Sequence, residues 1–291
     1  MNDIVELLLL AAIWGASFLF MRIGAPELGP IPLIALRVGI AALVLAPVLR
    51  SAVARTALRR HALPLLIVGI TNSALPFCLL AYSTLYVSAG FDSILNATTP
   101  LWAALTAFVL YRVSINRPQA LGMLVGLAGV AMLVWNKFDG GAAGVPSAVG
   151  AALLATLSYG FAVNYAKRHL AGVPPLVAAL GSQLWASVVL APLAVWLWPA
   201  TAVGQLTWGC VVALGVVCTG FAYILYFRLI ERAGASFAAS VTLLIPVFGV
   251  VWGALFLGEA ISASMLAGCV VILFGTALAT GKLGFVSGRK A

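Results

Sequence analysis

Charge is what this sequence has least of. Asp, Glu, Lys and Arg make up 8% of its 291 residues, against roughly a quarter in an ordinary soluble domain. Hydrophobic residues make up 64% and the mean hydropathy is +1.15. A water-soluble fold of that composition has too little polar surface to cover itself, which excludes one. Histidine is nearly absent too: His61 and His169 stand beside arginines at helix ends, and no Gly-x-Ser-Gly or His-Glu-x-x-His arrangement occurs. Proteolysis, acyl transfer and metal-assisted hydrolysis need a nucleophile with a base, or a ligand cluster. The chain therefore reads as no enzyme, with no metal and no cofactor. Its four cysteines, Cys78, Cys210, Cys218 and Cys269, fall inside apolar runs at no metal-binding spacing, so they form neither a disulfide framework nor a metal site.

Long apolar runs take the place of what is missing. About 20 mostly apolar residues cross the hydrocarbon of a bilayer as a helix that satisfies its own backbone. Ten segments meet that test, at approximately 4–23, 32–50, 62–83, 86–110, 119–136, 147–168, 174–198, 206–229, 236–257 and 262–281. The first carries Asp3 and Glu6 at its leading end and no convincing small-residue cleavage site after it, so it reads as a retained span rather than a signal peptide. The expected fold is an all-α integral membrane protein with ten transmembrane helices.

The net charge of +9 gains its meaning from position. With ten spans and both termini cytoplasmic, Arg50, Arg55, Arg59, Arg60, Arg112, Arg117, Lys167, Arg168, Arg228, Arg232, Lys282, Arg289 and Lys290 all fall on the cytoplasmic side, 13 of the 16 basic residues. Lys137 alone falls in an outer loop, and Arg22 and Arg37 lie within spans. This is the positive-inside bias that orients membrane proteins, so the basic charge needs no nucleic-acid partner. With no targeting segment recognised, the chain fits a multi-pass protein of a bacterial inner membrane.

The chain also matches itself. Shifted by 145 residues, Gly15 falls on Gly160, Pro30 on Pro175, and Leu45-Ala46-Pro47 on Leu190-Ala191-Pro192; shifted by 146, Pro100 falls on Pro246, Gly122 on Gly268 and Gly129 on Gly275. Residues 1–136 and 147–291 read as two five-helix repeats joined by the Gly-rich linker 137–146, with a short basic tail at the end. Five is odd, so the second repeat enters the membrane from the opposite side, giving an inverted-topology pair of the kind that supports alternating access.

The stretch "ERAGASFAASVTLLIPVFGVVWGALFLGEAIS", residues 231–262, has a small-residue entry, a mid-helix proline and a Gly-Glu ending. "YVSAGFDSILNATTPLWAALTAFVLYRVSI", residues 86–115, has the same plan, with Arg112 and Val113 in place of Gly-Glu. With "WGASF" in the first segment, the chain resembles the drug/metabolite transporter superfamily, EamA type, over nearly its whole length. Within it the chain is most similar to YddG-type aromatic amino-acid exporters. The resemblance implies transport, and its motifs specify the superfamily better than the substrate.

Polar residues inside the spans mark the candidate site. Ser88, Asp92, Asn96, Thr99 and Thr106 recur at helical spacing on one face of the fourth segment. A charge at the bilayer centre costs roughly 2.5 to 3.5 kcal/mol on insertion scales, so this stripe is expected to face the bundle interior or a watery cavity. Pro100 removes a backbone donor there, and with Pro246 in the ninth segment it suggests a pair of broken helices around the site. Counting depth adds Trp14, Ser17, Asn72, Pro76, Trp102, Tyr159, Gln183 and Trp185 as substrate-binding candidates, with Tyr82 near the outer end in a belt, gate or lining position. Arg37 and Asp92, both in the outer half, are expected to approach each other as a gate, as a coupling pair, or as opposite charges offered to a zwitterion. Helix packing explains any one of these residues alone; together they make an aromatic lining with few polar groups, the usual composition of a small-molecule site.

The function expected is export of a small amphipathic metabolite by alternating access. Burying a ring of roughly 150 to 250 Å² at about 25 cal/mol per Å² gives some 4 to 6 kcal/mol, more than a few polar contacts add, so aromatic amino acids lead. Cationic drugs or other amino acids are the alternatives. Against the first, small multidrug relatives carry a glutamate at the mid-depth of the first helix, where Trp14 stands here. Asp92 is the sole mid-span carboxylate and the natural place for proton coupling, which passive exchange does not need. The partners expected are the substrate and the lipid bilayer, with the chain a monomer rather than a dimer.

Overall fold

The structure, a computed structural model, describes residues 2–138 and 143–281, with the side chains of 136–138 left out. Residues 139–142 of the expected linker and the basic tail with Lys282, Arg289 and Lys290 therefore lie outside the described residues, as does Met1, and the side chain of Lys137 is among those left out. Among the described residues every regular element is a helix. Nine are long and apolar enough to cross a membrane, one fewer than expected. The ten apolar segments fold as Asp3–Leu28, Pro30–Arg50, Ala62–Ser83, Ala89–Tyr111, Arg117–Phe138, Val145–His169, Pro175–Trp196, Gln205–Ala233, Ala235–Leu257 and Ala263–Ala279, numbered first to tenth below. The tenth has 17 residues, below the usual length of about 20, and lies along the fifth.

Local chemistry sets the ends. The Asn2 side chain accepts from Ile4 N–H and caps the first helix, whose first turn carries Asp3 and Glu6 at the positive end of the dipole. Gly29 (φ 79°) turns the chain within one residue, and Pro30 opens the second helix, where its missing N–H is no loss. A short helix absent from the sequence reading, Ala52–Arg60, carries three arginines between the second and third. Large apolar side chains face outward, among them Trp135 at 72% and Val195 at 78% exposed, as a lipid solvent requires.

Close helix crossings are made by glycines, and they come in matched pairs. A Cβ on Gly15 would stand 2.7 Å from Phe248 Cβ, and one on Gly160 would stand 2.6 Å from the Trp102 carbonyl carbon. Gly69 packs on the Ser182 carbonyl, Gly215 on Ile40 and the Arg37 carbonyl; Gly122 packs on the Gly275 carbonyl, Gly268 on that of Gly129. In each pair the second contact joins the residues that stand 145 or 146 positions from those of the first. Helix neighbours follow the same pattern: the first packs on the ninth and the sixth on the fourth, the second on the eighth and the seventh on the third.

Interruptions fall in the middle of several helices. The third passes through a π-helical turn at Ile70–Ala74 and the eighth through a longer one at Ala213–Phe221. Pro76 lacks the N–H that would bond Asn72, which loosens the helix there. The fourth helix breaks at 97–98, and Pro100 stands in the first turn of its second part, Thr99–Tyr111. The ninth breaks at 239–240, whereas Pro246 lies within the continuous helix Val241–Leu257. The expected pairing of the two prolines at breaks is thereby corrected: neighbours hold the helix through Pro246, which is itself buried.

Candidate functional site

A cavity of about 670 Å³ lies among the first, second, third, fourth, sixth, seventh, eighth and ninth helices. Its walls are aromatic. Trp14 and Tyr226 stand 5.3 Å apart between ring centres, and Tyr159 meets Phe77 edge-on at 6.3 Å. The Asn72 amide donates to the Tyr223 hydroxyl at 3.4 Å. Ser17, Asn96 and Thr99 add polar groups to the wall. One end of the cavity is closed by buried Met21, Arg37 and Leu80; the other reaches exposed Lys167.

Arg37 does not pair with Asp92, contrary to the expectation. Its Nε donates to Thr219 Oγ1 at 2.9 Å, a terminal NH reaches Met21 Sδ at 3.7 Å, and the guanidinium lies 3.8 Å over the Phe77 ring. Packing against the eighth helix explains the difference: Gly215 lets that helix approach the Arg37 backbone, and the π-turn brings Thr219 within reach. Asp92 is fully buried outside the cavity lining, with Ser83 nearby and neither carboxylate oxygen holding a hydrogen bond. Arg22 instead donates to the Thr84 carbonyl, closing the end of the third helix.

Of the residues singled out by sequence, Trp14, Ser17, Arg37, Asn72, Asn96, Thr99 and Tyr159 come together on the cavity wall. The others stand elsewhere. Trp102 donates to Thr98 Oγ1 at 3.3 Å, and its backbone packs on Gly160. Gln183 donates to Ser73 Oγ at 2.8 Å, tying the seventh helix to the π-turn of the third. Trp185 packs near Leu65 and Val68, and Tyr82 bonds Ser147 at 3.0 Å. Thr106 bonds the Trp102 carbonyl and accepts from Asn164. Sequence reasoning missed Phe77, Thr219, Tyr223 and Tyr226. In the eighth helix a π-turn holds more residues than an α-turn and rotates the face that follows it, so α-helical counting does not bring Tyr223 and Tyr226 to the wall.

What these observations define is a multi-pass membrane protein whose helices enclose a largely apolar cavity with one exposed mouth. The model of the EamA-like transporter family matches residues 4–135 and again 146–281. The chain belongs to that family, which points to a membrane transporter rather than an enzyme. It is similar to an "Uncharacterized transporter" of Archaeoglobus fulgidus, 24% identical over 94% of this chain and 97% of the relative. It is also similar to YoaV (22% identical, covering 90% and 91%) and YvbV (24%, 94% and 90%) of Bacillus subtilis, each called an uncharacterized transporter. The crystal structure of a protein 21% identical to this chain shares the fold with a TM-score of 0.64, covering 96% of this chain and 97% of that one.

Proposed function

We propose that this protein is a secondary transporter, an exporter of small amphipathic metabolites with aromatic amino acids foremost, working by alternating access between halves 1–136 and 147–291. The observation that carries the reading is the aromatic cavity enclosed by helices of both halves. The matched glycine crossings support an inverted pair, since exchanging the halves maps one set of contacts onto the other. The likeness to YddG-type exporters supports the aromatic substrate, as does the Trp14, Phe77, Tyr159 and Tyr226 lining. By the positive-inside bias, the end with Lys167 is cytoplasmic and the cavity opens inward, in an inner membrane. Asp92 stands outside the lining, which weighs against a cation cage built on it.

The test is uptake of labelled phenylalanine and tryptophan by reconstituted proteoliposomes, with leucine and threonine as unlabelled competitors. Saturable flux poorly competed by the non-aromatic amino acids is expected. Flux no greater than that of empty liposomes, from protein shown to be folded, overturns the substrate.

A further inference from the structure

We infer that the cavity demands a carboxylate on its substrate and that Arg37 is the residue that binds it; this rests on the transport reading above and narrows its substrate class. Charge in the lining comes first. Arg37 and Lys167 line the cavity, and among the described residues no Asp or Glu does. Lys167 is exposed at the mouth, where water screens it. Arg37 is 3% exposed at the closed end, and a buried arginine keeps its proton. A fixed positive charge therefore stands at the blind end of an apolar chamber.

Nothing described neutralises it. The ion pairs among the described residues gather on Asp3 and Glu6, which bind Arg228 and Arg232. The partners of Arg37 are a hydroxyl, a thioether and a ring face, all uncharged. They fix the orientation of the guanidinium without compensating it. An uncompensated ion in a low-dielectric site is costly, and an intramembrane charge of this kind marks a substrate path. A carboxylate brought to the guanidinium makes a charge-assisted pair. One arginine supplies enough donors for a planar monoanion and too few for a phosphate with its greater charge.

The remaining polar groups say what else the ligand carries. Ser17, Asn72, Asn96 and Thr99 line the cavity with neutral hydroxyl and amide groups. Such groups accommodate an ammonium group and do not require one. A zwitterionic amino acid and a simple aryl carboxylate therefore both fit. An aryl amine lacking the carboxylate meets the field of Arg37 with nothing to offset it.

The experiment compares phenylalanine, phenylacetate, phenyl phosphate and phenethylamine as ligands of the detergent-solubilised full chain, by thermal stabilisation and direct affinity. Phenylalanine and phenylacetate are expected to bind, with phenethylamine at least about tenfold weaker. Arg37→Gln should weaken both carboxylates roughly 10- to 100-fold and phenethylamine not at all. Arg37→Lys should retain part of the preference and serves if the Gln variant misfolds; the wild-type ligand series decides if both do. Phenethylamine binding as tightly as phenylacetate, no carboxylate binding to folded protein, or unchanged carboxylate affinity in folded Arg37→Gln overturns the inference. A preference for phenyl phosphate over phenylacetate overturns the choice of carboxylate. Flux in liposomes separates the two readings: carboxylate binding without flux sinks transport of these compounds alone, and flux without carboxylate preference sinks the anion site alone.

Discussion

At the scale of single residues, similar side chains have different surroundings. Tyr159 and Trp102 both sit mid-membrane on facing helices, yet Tyr159 faces the cavity beside Phe77 while the indole of Trp102 is occupied by Thr98 outside the lining. A ring contact is worth about 1 kcal/mol beyond its area, so Tyr159→Ala should raise the KM for phenylalanine uptake roughly tenfold. Trp102→Ala should leave it within about twofold. Initial-rate measurements across a concentration series check both, and equal effects would show that the indole reaches the substrate after all.

At the scale of the element, the ends of the fourth and ninth helices are closed alike with different residues. Arg112 (φ 56°) and Gly258 (φ 63°) take the left-handed position, and the N–H groups of Val113 and Glu259 then bond the carbonyls of Ala107 and Gly253 at 3.2 and 3.1 Å. These bonds join residues six positions apart, one more than in the commonest helix end, and glycine is the natural occupant of the left-handed position. A side chain in that conformation costs about 1 kcal/mol. Arg112→Gly should therefore stabilise the protein, raising its melting temperature in detergent by roughly 2–4 °C. A lowered melting temperature would mean that the Arg112 side chain contributes more than its backbone costs.

At the scale of the whole molecule, one asymmetry bears on which mouth is open. The Glu259 carboxylate accepts from Ala89 N–H at 2.8 Å and Gly90 N–H at 3.2 Å, tying the end of the ninth helix to the start of the fourth near the closed end of the cavity. The position 146 residues earlier holds Val113, which has no group to make the equivalent tie at the end with Lys167. With the native cysteines replaced by alanine, Leu80→Cys should label slowly with a polar maleimide and Ala166→Cys quickly. Adding Glu259→Gln should speed labelling at position 80 severalfold. An unchanged rate would show that other contacts hold that end shut.

The sequence by itself determined the solvent, the segments and the self-match. Each is a sum over many residues: hydropathy over about 20 positions, charge over all the loops, identity over two halves. It also brought Trp14, Asn72 and Tyr159 forward, because depth along a helix is a matter of counting, and Asn96 and Thr99 through the polar face they share in the fourth helix. Which faces turn to the cavity was decided only by the tertiary structure. The π-turns of the third and eighth helices changed the angular register that counting assumes, bringing Tyr223 and Tyr226 to the wall, and Gln183 and Trp185 were taken up by neighbouring helices. The partner of Arg37 was decided the same way. Opposite charge made Asp92 the natural choice, but charges pair only where backbones bring them together, and the close approach at Gly215 gave Arg37 a hydroxyl instead.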